Sequence, residues 1–276
     1  MPYLAYADAS FADQGKGLVV FAPFKTTVNA WDLTMNTEKS VCILFSGGSD
    51  SSLTAYRMSL EFDKVHLLTF QQTGQLEIEN SKKSFAILNE KFPGKFQHRM
   101  IDVNDMFMQI YNRHYIRNLL KYRTLQLQFV CFACQACFHV NTIVYCKQNN
   151  IADVRDGTNT EYEEASPMQI PAVKKEILKL YTRYGITHDS PVYDEHESFR
   201  SDHQLFELGL RPQKNIKDDP VLYKKYQGYC RFMPGGVLFL NYWKRCKGFP
   251  EKVQEKMRQH WLEEVEFLEH LIEQRI

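Results

Sequence analysis

The sequence predicts an α/β fold, a doubly wound parallel sheet carrying a mostly helical C-terminal extension. Three observations predict it. Short apolar runs suited to buried strands alternate with segments of helical periodicity. One run, Val41-Cys42-Ile43-Leu44-Phe45, passes through a Ser/Gly turn straight into a helix-compatible segment. Another, Ile151-Ala152-Asp153-Val154-Arg155-Asp156, enters Gly157-Thr158, and both turns belong at the edge formed by the strands' carboxyl ends. With 276 residues and 44% hydrophobic content the chain can bury a full core, as one large domain or a domain with an appendage.

Residues 1–39 read as an adaptor segment containing one strand, 17–22, which Pro23 limits to an edge or an end. The turn Ser46-Gly47-Gly48-Ser49-Asp50-Ser51-Ser52 follows the first core strand. Gly47 and Gly48 lack the β-carbons that hold a phosphate off the backbone. The hydroxyls of Ser46, Ser51 and Ser52, with the next helix's free N–H groups, make an anion cradle. Each charge-assisted hydrogen bond there is worth about 1.5–3 kcal/mol, so four or five with a metal ion suffice for a triphosphate. Asp50 would repel that phosphate unless a cation stood between them, which places Mg²⁺ beside it.

These residues resemble the SGGxDS signature of the PP-loop ATP pyrophosphatases, which cleave ATP between the α- and β-phosphates and transfer AMP to a substrate oxygen. No Gly-Lys-Ser/Thr follows, so the Walker A pattern is absent. The resemblance covers about residues 40–193. It implies an adenine nucleotide alpha-hydrolase-like fold, with Ser46, Gly47, Gly48, Ser49, Asp50, Ser51 and Ser52 on ATP.

Residues 64–70 read as the second strand, 79–92 as a helix with Phe85, Leu88 and Phe92 on one side, and 96–103 as the third strand. By the resemblance Phe70, ending the second strand, lies against adenine; plain core packing is the other reading. Residues 104–129 read as a long helical stretch rich in basic and aromatic side chains, among them Arg113, His114, Arg117 and Lys121. Such a stretch suits a nucleic-acid backbone or a solvated helix face. The net charge of +1, from 34 basic and 33 acidic residues, adds no global field towards nucleic acid. A small-molecule or nucleobase substrate is therefore preferred to tRNA.

Seven cysteines, three of them in Cys131-Phe132-Ala133-Cys134-Gln135-Ala136-Cys137, suit a metal site or a reactive thiol set in a reducing cytosol. Cys131, Cys134 and Cys137 with a fourth ligand would close a zinc site, and His139, Cys146, Cys230 or Cys246 is a candidate for it. With no fourth ligand, three thiolates suit an iron–sulfur cluster with one exchangeable iron. Small buried residues on a helix from about 136 to 148 are the alternative.

After the fourth strand, Asp156-Gly157-Thr158-Asn159 resembles the same tetrad of the ATP-dependent sulfur transferases that make the lactate racemase cofactor. It also resembles the Gly-Thr stretch of NAD and GMP synthetases, which implies Gly157 and Thr158 at the pyrophosphate and Glu161 with Asp50 on Mg²⁺. The family's usual continuation is replaced here by Glu163-Glu164-Ala165-Ser166-Pro167.

Residues 172–184 read as a helix ended by Gly185, residues 186–193 as a last short strand, and residues 194–226 as polar and irregular. Tyr229-Cys230-Arg231-Phe232-Met233-Pro234 is loosely similar to the cysteine loop of the sulfur-transferase subgroup. That implies a catalytic Cys230, with Arg231 neutralising a phosphate or carboxylate. Residues 250–274 read as a long helix whose stripe, Val253, Met257, Trp261, Val265, Leu268 and Ile272, suits docking or a homodimer.

The expected organisation is thus an adaptor over 1–39, a PP-loop domain over 40–193 and a helical lid region over 194–276. No apolar run approaches the roughly 18 residues of a membrane span, so a cytoplasmic protein is expected. The expected activity is adenylation of a substrate oxygen, followed by replacement with sulfur from a cluster or persulfide, perhydrosulfide chemistry that a donor protein would feed. Two alternatives stand beside it. One is amidation with a structural zinc knuckle, as in the cyano-deazaguanine synthases, whose Cys-x-x-Cys-x-x-Cys run lies nearer the C-terminus. The other is an ATP- or nucleic-acid-binding module without turnover.

Overall fold

A computed structural model describes residues 38–122, 126–160, 168–194, 198–212, 225–226, 228–231 and 251–276. The adaptor strand expected over 17–22 lies outside them.

Five strands form one parallel sheet: β1 (Ser40–Leu44), β2 (Lys64–Gln71), β4 (Phe96–Asp102), β5 (Asp153–Arg155) and β6 (Thr187–Asp189). Their order is β4-β2-β1-β5-β6. The chain moves outwards from β1 in one direction, then returns to its other side with β5. The crevice between the carboxyl ends of β1 and β5 is therefore the switch point, where a doubly wound sheet binds its ligand.

Alternation within the strands sorts side chains to two faces. Val41, Ile43, Val65 and Leu67 enter one core, beneath α1 (Ser49–Glu61), α2 (Ser81–Lys91) and α7 (Ser198–Glu207). Cys42, Leu68 and Phe70 enter the other, with α3 (Asn104–Asn112), α5 (Gln126–Gln148), α6 (Pro171–Arg183) and α8 (Glu251–Glu273). Helix α6 starts on Pro171, whose missing N–H costs nothing there, and stops before Gly185 at φ +68°.

Three differences from the sequence reading have physical causes. The stretch 104–129 is not one helix: α3 ends at Asn112, α4 (Tyr115–Tyr122) follows, and His114 turns the chain between them at φ +56°. Helix α5 starts ten residues earlier than the expected 136. Its segment Phe129–Gln148 is long and apolar enough to cross a membrane by length and composition, contrary to the expectation that no such run exists. Most of that segment is buried, because α5 lies between the sheet and α8 and needs no polar face.

The stripe on α8 is likewise spent inside the chain. Trp261, Leu268 and Ile272 are 0% exposed, and α8 packs on α5 and α6, which removes the premise for a homodimer through that stripe. The polar side of α8 meets the basic stretch: Glu264 faces Arg113, His114 and Arg117, while Glu263 pairs with Lys121.

A two-residue antiparallel ribbon of β3 (Gln75–Leu76) and β7 (Tyr229–Cys230) was not foreseen. It carries Cys230 from the end of the chain to the ligand edge of the sheet.

Trp261 edges onto Phe132 of α5 at 5.7 Å between ring centroids. Trp261→Ala is expected to cost about 3–5 kcal/mol, the usual range for a buried aromatic. A fall in the urea midpoint with unchanged slope is the measurement that checks it.

Candidate active site

The turn after β1 is shaped by two close approaches. Gly47 sits at φ +80°, and a β-carbon there would lie 2.5 Å from the Tyr226 carbonyl oxygen and 2.6 Å from Ser81 Cα. Gly157, following β5, packs on the turn from the other side: its β-carbon would lie 2.6 Å from Ser51 N and 2.9 Å from Asp50 C. Both positions require glycine because backbone occupies the space a side chain would need.

Inside the turn, Gly48 N–H donates to Ser46 Oγ (3.2 Å), which lies 3.2 Å from Ser51 Oγ. Ser51 Oγ donates to the Gly48 carbonyl (3.1 Å), and Ser49 Oγ donates to Asp202. Helix α1 begins here, its first intrahelical bond running from Ser52 N–H to the Gly48 carbonyl (2.9 Å). The positive end of its dipole faces the crevice.

A cleft of about 330 Å³ opens at this point. Of the residues expected on the nucleotide, Ser46, Gly48, Ser49, Asp50, Ser51, Phe70, Gly157 and Thr158 line it. Gly47 and Ser52 do not. Ser52 Oγ donates to the Gly47 carbonyl on the far side of the turn (3.3 Å), so these two shape the loop without forming its anion-facing surface. Phe70 is buried and stacks on Phe138 with centroids 4.9 Å apart, as core packing requires, and it also lines the cleft. Glu161 lies outside the described residues.

Two groups escaped sequence reasoning. Arg211, within the stretch read as polar and irregular, is buried behind the loop. It donates to the Gly47 carbonyl (2.8 Å), Ser84 Oγ (3.0 Å) and Ser52 Oγ (3.2 Å), with its plane over Tyr226. Burial lowers its pKa to about 10, so it stays charged at neutral pH. The second is Asp156, whose carboxylate accepts from Ser190 Oγ (2.6 Å) and Thr158 N–H (2.9 Å) and lies 3.1 Å from His188 Nε2. Burial raises its pKa, but His188 and these donors outweigh burial and hold it below the ordinary carboxylate range. Asp156 stands in the tetrad singled out above, but nothing local gives either side chain its role, since the partners come largely from distant segments.

The thiols do not gather as spaced. On α5, steps of three residues turn each successive cysteine about 60° further round the helix. Cys137 therefore reaches the core, where it is 0% exposed and donates to the Cys134 carbonyl (3.0 Å). Cys131 and Cys134 stay half-buried and face Cys230, whose charge acts on both. Gln72 Nε2 donates to Cys134 Sγ (3.6 Å), and Gln75, opposite Cys230 in the ribbon, lines the cleft.

Burial, then Cys230, pushes Cys131 up to about 11; burial, then Cys131, pushes Cys134 up to about 12. Of the other candidate ligands, His139 bonds Tyr181 and Cys146 pairs with Cys42 in the core, while Cys246 lies outside the described residues. Arg231 holds Gly74 through its backbone N–H (2.7 Å), and its side chain is exposed. Neither Arg231 nor Cys230 lines the cleft itself. Among the described residues, no three His, Cys, Asp or Glu side chains are grouped as a metal ion requires.

Gly157→Ala is expected to weaken nucleoside triphosphate binding at least about tenfold, or 1.4 kcal/mol, by pushing the loop off β5, with calorimetry as the check. Because Asp156 is held low, its contribution to stability is complete above the ordinary carboxylate pKa of about 3.9 and is lost as pH falls below it. Asp156→Asn should therefore flatten the acid limb of a melting-temperature profile.

No protein-family model matches the chain, and no curated protein does. Among solved structures, it is similar to a predicted subunit of tRNA methyltransferase from Methanocaldococcus jannaschii, at 18% identity, 69% of this chain, 96% of that one and a TM-score of 0.40. It is similar to NMN synthetase from Francisella tularensis, at 16% identity, 87% of this chain, 90% of that one and a TM-score of 0.45. A third likeness is to the U34-tRNA thiolase NcsA from Methanococcus maripaludis with its [4Fe-4S] cluster, at 13% identity, 74% of this chain, 72% of that one and a TM-score of 0.38.

Proposed function

We propose that the chain is an AMP-forming ATP pyrophosphatase that adenylates a substrate oxygen and replaces it with sulfur, in a reducing cytoplasm. One observation carries this reading: the Ser/Gly turn lines a cleft whose wall also includes α5, the helix that bears Cys131 and Cys134, while the thiols themselves lie outside the cleft. Gln135 and Phe138 of that helix line the cleft, one turn beyond Cys131 and Cys134.

In this reading Ser46, Ser49, Ser51 and the α1 N-terminus bind the phosphates, Gly157-Thr158 closes over them, and Phe70 packs against the base. Asp50, with Glu161, would hold Mg²⁺, which supplies charge neutralisation as pyrophosphate departs. The substrate oxygen attacks the α-phosphorus and the bond to the β-phosphate oxygen breaks. A sulfur nucleophile then bonds to the activated carbon, and the C–O electron pair leaves with AMP.

For the thiols, we take Cys131, Cys134 and Cys230 as the set to test in place of buried Cys137; the described side chains are not grouped as a metal site, so binding there requires them to move together. A single tetrahedral zinc needs sulfurs about 3.8 Å apart, from Zn–S bonds near 2.3 Å. A multi-iron cluster binds each thiolate on a separate iron and so needs no such convergence on one point. Bound there, such a cluster would hold or supply sulfide beside the cleft. The raised thiol pKa values mean that metal loading must displace protons, so retention should weaken as pH falls.

Anaerobic purification with an absorption spectrum and iron and zinc analysis tests this. Expected is a brown protein with iron in several-fold excess over chain, lost in Cys131→Ala, Cys134→Ala and Cys230→Ala but kept in Cys137→Ala. One zinc per chain would move the reading to attack by ammonia or an amine. Iron lost only from Cys137→Ala would overturn the ligand set.

A further inference from the structure

His188, with its neighbours His139 and Asp156, is a buried ionisable group of the cleft that the adenylation reading leaves without a task. Its side chain is 2% exposed yet lines the cleft. One face stacks on Tyr181 with centroids 4.6 Å apart and 8° between planes, and His139 meets the ring edge-on at 5.9 Å. The ring is therefore fixed in tilt and position.

Nε2 lies 3.1 Å from Asp156 Oδ2 without hydrogen-bond geometry, and Nδ1 has no polar partner of its own, so neither ring nitrogen is hydrogen-bonded among the described residues. Asp156 accepts only, so the nitrogen facing it carries the hydrogen and the other keeps its lone pair. His139 cannot compete for a proton: burial, then His188, lowers its pKa to about 3, and its Nδ1 is occupied by the Tyr181 hydroxyl (2.9 Å). A buried polar nitrogen without a protein partner calls for a ligand, and this one borders the same space as the phosphate turn.

We infer that His188, oriented by Asp156, is the proton acceptor of the transfer step and that its Nδ1 meets the attacking S–H or N–H group. This rests on the adenylation reading. As the new bond to the activated carbon forms, the nucleophile's proton passes to Nδ1 and the C–O electron pair leaves on AMP. The imidazolium, stabilised by the Asp156 carboxylate, then returns the proton to solvent. Asp156 is a positioning residue: it sets which nitrogen is basic and touches no substrate.

The test uses the full chain with ¹⁵N-labelled histidine, the His188 signals being identified by their loss in His188→Gln. Expected is the Nε2–H form of His188 at neutral pH, converted to mixed forms in Asp156→Asn with the remaining histidine signals unmoved. In parallel, diethyl pyrocarbonate, which acylates an imidazole nitrogen bearing a lone pair, should label His188, and saturating AMPCPP with Mg²⁺ should abolish the label. An Nδ1–H form, or labelling indifferent to AMPCPP that calorimetry shows to be bound, would overturn the proposal. Failure of AMPCPP to bind the unaltered chain is a different result and would remove the adenylation reading beneath it.

Discussion

The contact between Gly157 and the first turn of α1 is the constraint on which the rest of the site depends. Backbone meets backbone there at a distance that excludes any side chain, so the two turns of the switch point are one surface. Asp156, next in the chain, tightens the union: its carbonyl accepts from Thr54 of α1 (3.1 Å) while its carboxylate gathers Ser190, Thr158 and His188. The carboxylate's low pKa follows from those donors, and so does the orientation of the imidazole beside it. On the proposed function, phosphate binding and proton handling are thus both set by Asp156, Gly157 and Thr158.

Behind the turn, Arg211 provides the complementary restraint. A loop rich in serine and glycine has many conformations of similar energy, and holding one of them costs conformational entropy. Three oxygens of the loop and its neighbours are fixed by a single planar guanidinium, whose rigid fork loses less freedom per bond than a lysine would. Ser49 bound to Asp202 adds a second tie from the same region. The segment after β6 therefore works as the loop's back plate.

The fold was legible because its signals are local. Strands alternating with helices, Gly185 after α6 and the Ser/Gly turn each announce themselves within a few residues. The loop that borders the cleft was legible for the same reason, although Gly47 and Ser52 of the same motif do not line the cleft. Arg211, Asp156 and His188 were not legible as a set, since their partners come from α1, α2 and β6. The thiols show the limit most clearly. Spacing by three is a plausible chelate in a loop, but on a continuous helix it rotates the last sulfur into the core. The basic side chains within residues 104–129 left a nucleic-acid track and a solvated helix face both open, because their acidic partners sit far away on α8.

The β3–β7 ribbon bears on the order in which the molecule is made. Cys131 and Cys134 belong to a helix that is synthesised early, whereas Cys230 reaches them only through a two-residue strand near the end of the chain. Long-range pairing of this kind forms after local structure, because its loop-closure entropy must be met first. A chain still on the ribosome thus has its phosphate turn and two thiols in place without the third. The three thiols can come together only once the segment bearing Cys230 has been made, so a chain cut short before that segment cannot bring them together.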